Sequence, residues 1–331
     1  MKLLVGSGIS LFFLVMLFRK IELDKLAAAF REMDWRLLGI ATVITLASYI
    51  IRAVRWRYLL LPLKRTAFGN LVSATFIGYM ANNLLPARLG EFVRAYVLAD
   101  KEELETSAVF ASLVMDRLWD GFSVLLILVA TFFTVKLPPG MEKVQQGLVM
   151  GGYVTLALYL GVIVFLVLLK RLTNRTLALI ALVLRPFPKK LTEKVIPILG
   201  SFIAGIRFSG RPSDWLALLL SSAVIWASAT WPLDLLLQAF GIHLPITAAM
   251  FIMVFLVFAV MVPASPGYIG TYHAACVYGL MAFNVPREKA LSIAMVVHAT
   301  NFFPTVALGF FFLWYNKISL KNLTSTPYSE E

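Results

Sequence analysis

Apolar stretches close to the length of a membrane-spanning helix recur along the whole chain. A helix needs about 20 predominantly apolar residues to cross the hydrocarbon core of a bilayer. The residues are 60% hydrophobic and only 15% charged, and the mean hydropathy is +0.83, whereas soluble domains are about 45–50% apolar. These values exclude a soluble globular domain and predict an all-α, polytopic integral membrane protein. The expected membrane segments are 3–19, 36–52, 104–136, 148–170, 214–238, 246–262, 268–283 and 290–315.

The basic residues between these segments predict the orientation of the chain, because Lys and Arg concentrate in cytoplasmic loops. The loop 170–213 carries nine of them, and the loop 239–245 carries none. Residues 52–66 and 87–103 are both basic, so both are placed on the cytoplasmic side, and the stretch between them does not cross. We therefore expect 67–100 to be a re-entrant, broken-helix hairpin. Together with about eight transmembrane helices, it puts both termini in the cytoplasm.

The chain is expected to form one domain, at 1–315, followed by a short polar cytoplasmic tail at 316–331. The first apolar run has no small-residue cleavage site near its end, so a retained helix is expected rather than a signal peptide. The segment 20–35 interleaves basic and acidic residues, which is typical of an amphipathic helix on the membrane surface. The loop 170–213 has room for a helix or two against the membrane. The net charge of +12 lies in loops and indicates anionic lipid headgroups as partners, not nucleic acid.

A polar cluster interrupts the apolar pattern of the expected hairpin, in the sequence NNLLPARLGEFVR at 82–94. Asn82, Asn83 and a proline break the incoming helix, and a glycine allows a new helix to begin at close quarters. On that helix Arg88, Glu91 and Arg94 follow at intervals of three residues, near one face. A helix start with two guanidinium groups suits a phosphate. The spacing is equally compatible with a loop whose charges face the cytosol.

A second interruption lies in the other half of the chain, in MVPASPGYIGTYH at 261–273. PARLG and PASPG, at 86–90 and 263–267, share the pattern PAxxG. Paired Pro and Gly breaks in the two halves of a membrane protein indicate a transporter's binding site, often within an inverted repeat. We therefore expect the two breaks to lie close together, with an inverted repeat as one arrangement of the halves.

A third polar site, MDRLWDG at 115–121, lies within an otherwise apolar segment. Asp116 and Asp120 are one helical turn apart, with Arg117 beside them. Charges inside the membrane are costly and pair with one another or face a cavity. An ion pair between Arg117 and Asp120 is one interpretation. In the other, Arg117 binds a substrate phosphate and the aspartates orient it.

These motifs together resemble the lysylphosphatidylglycerol synthase transmembrane-region family. The resemblance rests on N-x-L-P-A-R-x-G-E-x-x-R at 83–94, D-R-L-x-D at 116–120 and P-x-x-P-G-x-I-G at 263–270. It implies a flippase-like domain with broken helices that moves lipids between leaflets. His273 stands where the family usually has an acid, so no acidic role is carried over to that position. The chain has no soluble synthase domain after the membrane region, so no aminoacylation of lipid is expected.

The sequence predicts a lipid translocase of the cytoplasmic membrane, handling an anionic or phosphate-linked lipid. The candidate substrates are a phospholipid and a polyprenyl lipid or glycolipid. A membrane-embedded enzyme or an accessory subunit of lipid or glycolipid biosynthesis is the alternative, with a biosynthetic enzyme as a candidate partner. We expect no enzymatic activity, cofactor or metal, because no catalytic or metal-binding motif is present. The candidate substrate-binding residues are Asn83, Arg88, Glu91, Arg94, Asp116, Arg117, Asp120, Gly267, Gly270 and His273.

Overall fold

A computed structural model describes residues 31–85, 89–134, 142–186, 189–206, 211–261 and 266–318, together with Asp24 and Ala28. These residues form helices and connecting turns, without strands, which confirms the all-α prediction. The expected first crossing, at 3–19, lies outside the described residues. The helices are α1 Trp35–Leu60, α2 Phe68–Leu84, α3 Gly90–Glu102, α4 Thr106–Thr134, α5 Glu142–Arg171, α6 Thr173–Val183, α7 Lys189–Gly205, α8 Pro212–Ala239, α9 Ile246–Met261, α10 Thr271–Met281 and α11 Arg287–Tyr315.

Several of these helices have the length and apolar character of membrane spans. In the described part of the chain, four qualify on both counts: α1, α5 from Val149 onward, α8 and α11. Helix α4 has 29 residues, about 44 Å of helix at 1.5 Å per residue, and it carries the Asp116 to Asp120 charges. The chain is therefore a multi-pass membrane protein. Helices α6 and α7 occupy the loop 170–213, where a helix or two had been expected.

Helices α2 and α3 form the hairpin expected at 67–100. Gly78 and Gly90 allow their backbones to touch, because a Cβ on Gly90 would lie 2.1 Å from the Gly78 carbonyl oxygen. At the open end, the Glu102 carboxylate accepts hydrogen bonds from the Ala67 backbone N–H at 2.9 Å and from Asn70 Nδ2 at 2.8 Å. The hairpin thus begins and ends at one end of the bundle, the end at which α1 finishes.

Helices α9 and α10 form a second hairpin at the place of the expected membrane segments 246–262 and 268–283. Helix α10 has 11 residues, about 16 Å of helix, which is too short for a core about 30 Å thick. Gly279, near the end of α10, packs on Ile252, in the first half of α9, so the two helices run antiparallel. Hydropathy does not distinguish two short apolar helices from two membrane spans, because the residues lie in an apolar environment in both cases.

Corresponding helices of the N-terminal and C-terminal halves run in opposite directions. Helices α1 and α8 lie side by side, with the Asp34 backbone N–H donating to the Ala239 carbonyl at 2.9 Å. Near the other end of α1, Arg55 Nη1 donates to Ser222 Oγ at 3.1 Å. The start of α1 therefore meets the end of α8, at what we call the Asp34 end. The second hairpin begins after the end of α8, so it starts from the Asp34 end, opposite to the first. This is the arrangement of an inverted repeat.

Candidate functional site

A network of buried charges joins α1, α4 and α8. Arg55 is completely enclosed, and its Nε donates to Asp116 Oδ1 at 2.8 Å while its Nη2 donates to Asp120 Oδ1 at 2.7 Å. Asp116 is also fully enclosed. In a low-dielectric interior such ions are tolerated only when their hydrogen bonds are satisfied. The two aspartates lie one turn apart on α4, which is why both reach the same guanidinium group.

A second layer of the network is partly open. Arg52 Nη1 lies 3.3 Å from Asp120 Oδ2, and Arg117 Nη1 lies 2.9 Å from the same oxygen. Arg117 also bonds to Glu91 of the first hairpin. The Arg117 side chain is 40% exposed and the Arg52 side chain 13%. Both predicted readings of Arg117 are therefore compatible with its position, since it pairs with Asp120 and still presents an accessible face.

The Tyr79 ring of α2 lies among three guanidinium groups. The Cζ atoms of Arg52, Arg94 and Arg117 are each 5.8 Å from its centroid, within the range of a cation–π interaction. The Tyr79 hydroxyl also accepts from Arg117 Nη2 at 3.4 Å. This ring therefore contacts arginines of both the buried and the open layer.

Arg94 is placed differently from the expectation that it faces substrate. Its side chain is 1% exposed, lies 3.3 Å from Asp116 Oδ2 and stacks on the Trp56 ring at 4.1 Å from the centroid. Its Nε and Nη2 have no hydrogen-bond partner among the described residues. Gly78 brings α3 so close to α2 that the Arg94 stem is trapped between the helices. Arg88, the other arginine expected at this site, lies outside the described residues.

The network carries an excess of positive charge. Arg52, Arg55, Arg94 and Arg117 supply four positive charges, whereas Glu91, Asp116 and Asp120 supply three negative charges. Four minus three leaves one positive charge among these seven described side chains. An anion at the open layer would offset that charge.

The open layer borders a cavity of about 440 Å³ between the two halves. Arg52, Arg117 and Asp120 form its charged side, together with Tyr79. Its remaining wall combines apolar side chains with hydroxyl and amide groups from α1, α5, α8 and α11. An apolar groove of about 830 Å³ lies beside it, between α4, α8 and α9, and Trp226 lines both spaces.

The two helix breaks meet beside this cavity, as expected from their paired sequences. The Tyr268 hydroxyl donates to the Asn82 carbonyl oxygen at 3.3 Å. Gly267, at φ 73°, lies beside the Asn83 carbonyl oxygen. Gly270 adopts φ 96° at the start of α10. Both positive φ values favour glycine, which explains the pattern P-G-x-x-G in this segment.

The histidines of the second break hold its backbone. His298 Nε2 lies 2.7 Å from the Gly267 carbonyl oxygen, and His273 Nδ1 accepts from the Gly270 N–H at 3.5 Å. The two imidazole rings are 4.8 Å apart. Neither histidine lines the cavity, although the neighbouring Tyr272 does. The structure thus places His273 and Gly270 behind the cavity wall rather than in it.

Sequence reasoning did not select Arg52, Arg55 or Tyr79. The expected segment ended at residue 52 because arginines were read as the start of a loop, whereas α1 continues to Leu60. The available signal was the interval of three residues between Arg52 and Arg55, which puts both on one face. On that face they pair with Asp116 and Asp120, which lie one turn apart on α4.

Comparisons with known proteins agree with a membrane protein of one family. The family described as the lysylphosphatidylglycerol synthase TM region matches residues 3–309. The glycosyltransferase AglD of Haloferax volcanii is 25% identical over 87% of this chain, which spans only 50% of AglD. UPF0104 membrane proteins of Methanocaldococcus jannaschii and Methanothermobacter thermautotrophicus are 20% and 25% identical. The matches cover 91% of this chain and 91% of the first relative, and 84% of this chain and 83% of the second. No solved structure gives a significant match.

Proposed function

Since the chain belongs to the lysylphosphatidylglycerol synthase TM-region family, we propose that it moves a phosphate-linked lipid between the leaflets of the cell membrane. It acts as a carrier and makes or breaks no covalent bond. The anionic headgroup enters the cavity between the two halves, and the apolar chains remain in the hydrocarbon phase. Both termini lie on the cytoplasmic side in this proposal, in accordance with the distribution of Lys and Arg.

The single observation that carries this proposal is the excess positive charge at the cavity. Arg52 and Arg117 reach the cavity wall, and the network to which they belong has one more cation than carboxylates. A phosphodiester headgroup supplies one negative charge and several acceptor oxygens, which suit guanidinium groups. When it binds, it competes with Glu91 for Arg117. That competition couples the headgroup to the first hairpin, which holds Glu91.

The neighbouring groove supplies a path for the lipid chains. Its wall is almost entirely apolar and aromatic, with Trp119, Phe122 and Trp231 among its residues. Trp226 lines both the groove and the cavity. On the cavity side, the Cζ atom of Arg52 lies 5.9 Å from the Trp226 ring. A lipid bound across Trp226 has its charged headgroup beside the arginines of the cavity and its acyl chains in the groove.

A second candidate is an accessory role in glycolipid synthesis, favoured by one observation. The match to AglD covers half of that protein, so a domain like this one occurs within a longer chain that is named a glycosyltransferase. On this alternative, the membrane unit presents a lipid acceptor to an enzyme and moves nothing by itself.

Transport in proteoliposomes separates the two candidates. Fluorescent phosphatidylglycerol in the inner leaflet should become accessible to a membrane-impermeant quencher faster than in protein-free vesicles. Arg117→Lys should slow this movement roughly tenfold, because Lys keeps the charge but loses the planar fork that holds phosphate. Arg57→Lys is the matched control, since Arg57 is on the same bundle but exposed, and it should move lipid normally.

Two results would count against the carrier. No movement above that of protein-free vesicles, with a folded protein, would favour the accessory role. Undiminished movement by Arg117→Lys and Arg117→Met would reject the arginine-lined headgroup site.

A further inference from the structure

The uncharged part of the cavity wall is rich in hydroxyl groups. They come from four helices, α1, α5, α8 and α11, and so from both halves of the protein as well as the helix between them. Most are buried rather than at the mouth of the cavity. The hydroxyl-bearing residues of this wall are Thr45, Ser48, Thr155, Ser228 and Thr300.

Each of these five hydroxyl groups donates a hydrogen bond to a carbonyl oxygen of its own helix. The oxygen–oxygen distances are 2.6–2.9 Å. A hydroxyl has one proton and two lone pairs, so the side that is left for a ligand can only accept. These five groups therefore present acceptors to a ligand, while the arginines of the cavity present donors. The tyrosines of the wall, Tyr49, Tyr79 and Tyr272, and the Asn301 amide can both donate and accept. The five Ser and Thr hydroxyl groups are the part of the wall that can only accept.

A ligand that matches both sides has a phosphate at one end and hydrogen-bond donors at the other. Ammonium and hydroxyl groups are the two common donors in lipid headgroups. An ammonium group is disfavoured because the network already has one surplus cation, and the Asp120 carboxylate is occupied by Arg52, Arg55 and Arg117. The Tyr79 ring, which would attract a cation, already faces guanidinium groups. Hydroxyl groups donate without adding charge.

We infer that the cavity selects a phosphate-linked lipid whose headgroup is an uncharged polyol or sugar. This inference rests on the proposed function for its lipid and deepens it by naming the headgroup class. The phosphate lies at Arg52 and Arg117, and the headgroup hydroxyls donate to Thr45, Ser228 and Thr300. The charge balance is then neutral, and the hydroxyl oxygens gain partners that their own helices do not supply.

Binding in detergent tests this inference without requiring transport. The three probes are short-chain phosphatidylinositol, phosphatidylmethanol and phosphatidylethanolamine with identical acyl chains. Phosphatidylmethanol keeps the single negative charge but has no headgroup hydroxyl. We expect phosphatidylinositol to bind roughly tenfold more tightly than phosphatidylmethanol, which is the gain from about two net hydrogen bonds. Phosphatidylethanolamine should bind more weakly than either.

Substitutions in the hydroxyl wall should change this preference selectively. Thr45→Val and Thr300→Val each remove one acceptor and should weaken phosphatidylinositol binding about fivefold, with phosphatidylmethanol unaffected. Thr300→Ser keeps the acceptor and should behave like the parent protein. Thr42→Val is the matched control, because Thr42 makes the same bond to its helix, to the Leu38 carbonyl at 2.8 Å, but does not line the cavity.

The outcomes are distinct for the inference and for the proposed function. Equal binding of phosphatidylinositol and phosphatidylmethanol by the parent protein, or tightest binding of phosphatidylethanolamine, overturns the inference even if the valine variants fail to fold. Selective binding without movement in proteoliposomes leaves the inference standing and rejects the carrier function.

Discussion

Arg55 shows at the scale of one residue how a charge can be held inside an apolar bundle. Its guanidinium group bonds to both aspartates of α4, to the Asp116 backbone carbonyl and to Ser222. Such a group costs several kcal/mol to bury, and its partners offset that cost only while the set is complete. The same bonds fix α1 against α4 and α8, so Arg55 determines the geometry on which Arg52 and Arg117 depend.

We therefore expect Arg55→Met to destabilise the protein by about 3–5 kcal/mol, because two buried carboxylates lose their shared partner. Arg117→Met should cost less than about 1 kcal/mol, since its pairs are partly solvated. Thermal unfolding of the purified variants in detergent measures both, with Arg57→Met as the exposed control on the same helix. Equal stability of the Arg55 and Arg57 variants would mean that the network is not structural.

The sequence allowed part of this site to be predicted at the residue scale. Asp116, Arg117 and Asp120 stood out because charges within an apolar segment have few explanations. Arg52 and Arg55 did not, because a cation near the end of an apolar run is usually a loop residue. Only their partners on α4, far away in the sequence, decide which way such a residue faces.

At the scale of helices, the first hairpin depends on a close backbone contact between Gly78 and Gly90, whereas Gly279 and Ile252 pack at an ordinary distance in the second. Sequence patterns indicated the first hairpin through its basic flanks. They did not indicate the second, because 246–262 and 268–283 are apolar and the loop 239–245 before them carries no Lys or Arg. What distinguishes a hairpin from two spans is the length left for each helix after the break. That length depends on the turn at Pro266–Tyr268, which hydropathy does not reveal.

We expect Gly90→Ala to destabilise the first hairpin by about 1–3 kcal/mol, the usual cost of overpacking. The added Cβ would lie 2.1 Å from the Gly78 carbonyl oxygen and 2.5 Å from the Asn82 nitrogen. Gly39→Ala is the control, because a Cβ there meets nothing within 4 Å and alanine favours the helix. Unfolding midpoints in detergent should fall for the first variant and hold or rise for the second. A Gly90→Ala protein as stable as its parent would contradict the close packing.

At the scale of the whole molecule, the antiparallel packing of α1 and α8 fixes how the ends of the bundle relate. The distribution of Lys and Arg predicts which end faces the cytoplasm. In a protein with Cys276 replaced by Ala, His243→Cys should react with a membrane-impermeant thiol reagent in intact cells, and Glu193→Cys should not. Both positions are exposed, so neither result depends on burial. The opposite pattern would invert the topology.

The inverted halves have a consequence for thermodynamics. Two hairpins that start from opposite ends of the bundle flank one cavity, whose charged residues all come from the N-terminal half, between Arg52 and Asp120. In the proposed function, a carrier without an energy source would lower the barrier to exchange without storing or spending free energy. Net flow then follows the gradient created by whichever reactions make the lipid on one side and consume it on the other. The proposed carrier would set how fast that gradient relaxes, and the reactions on the two sides would set its sign.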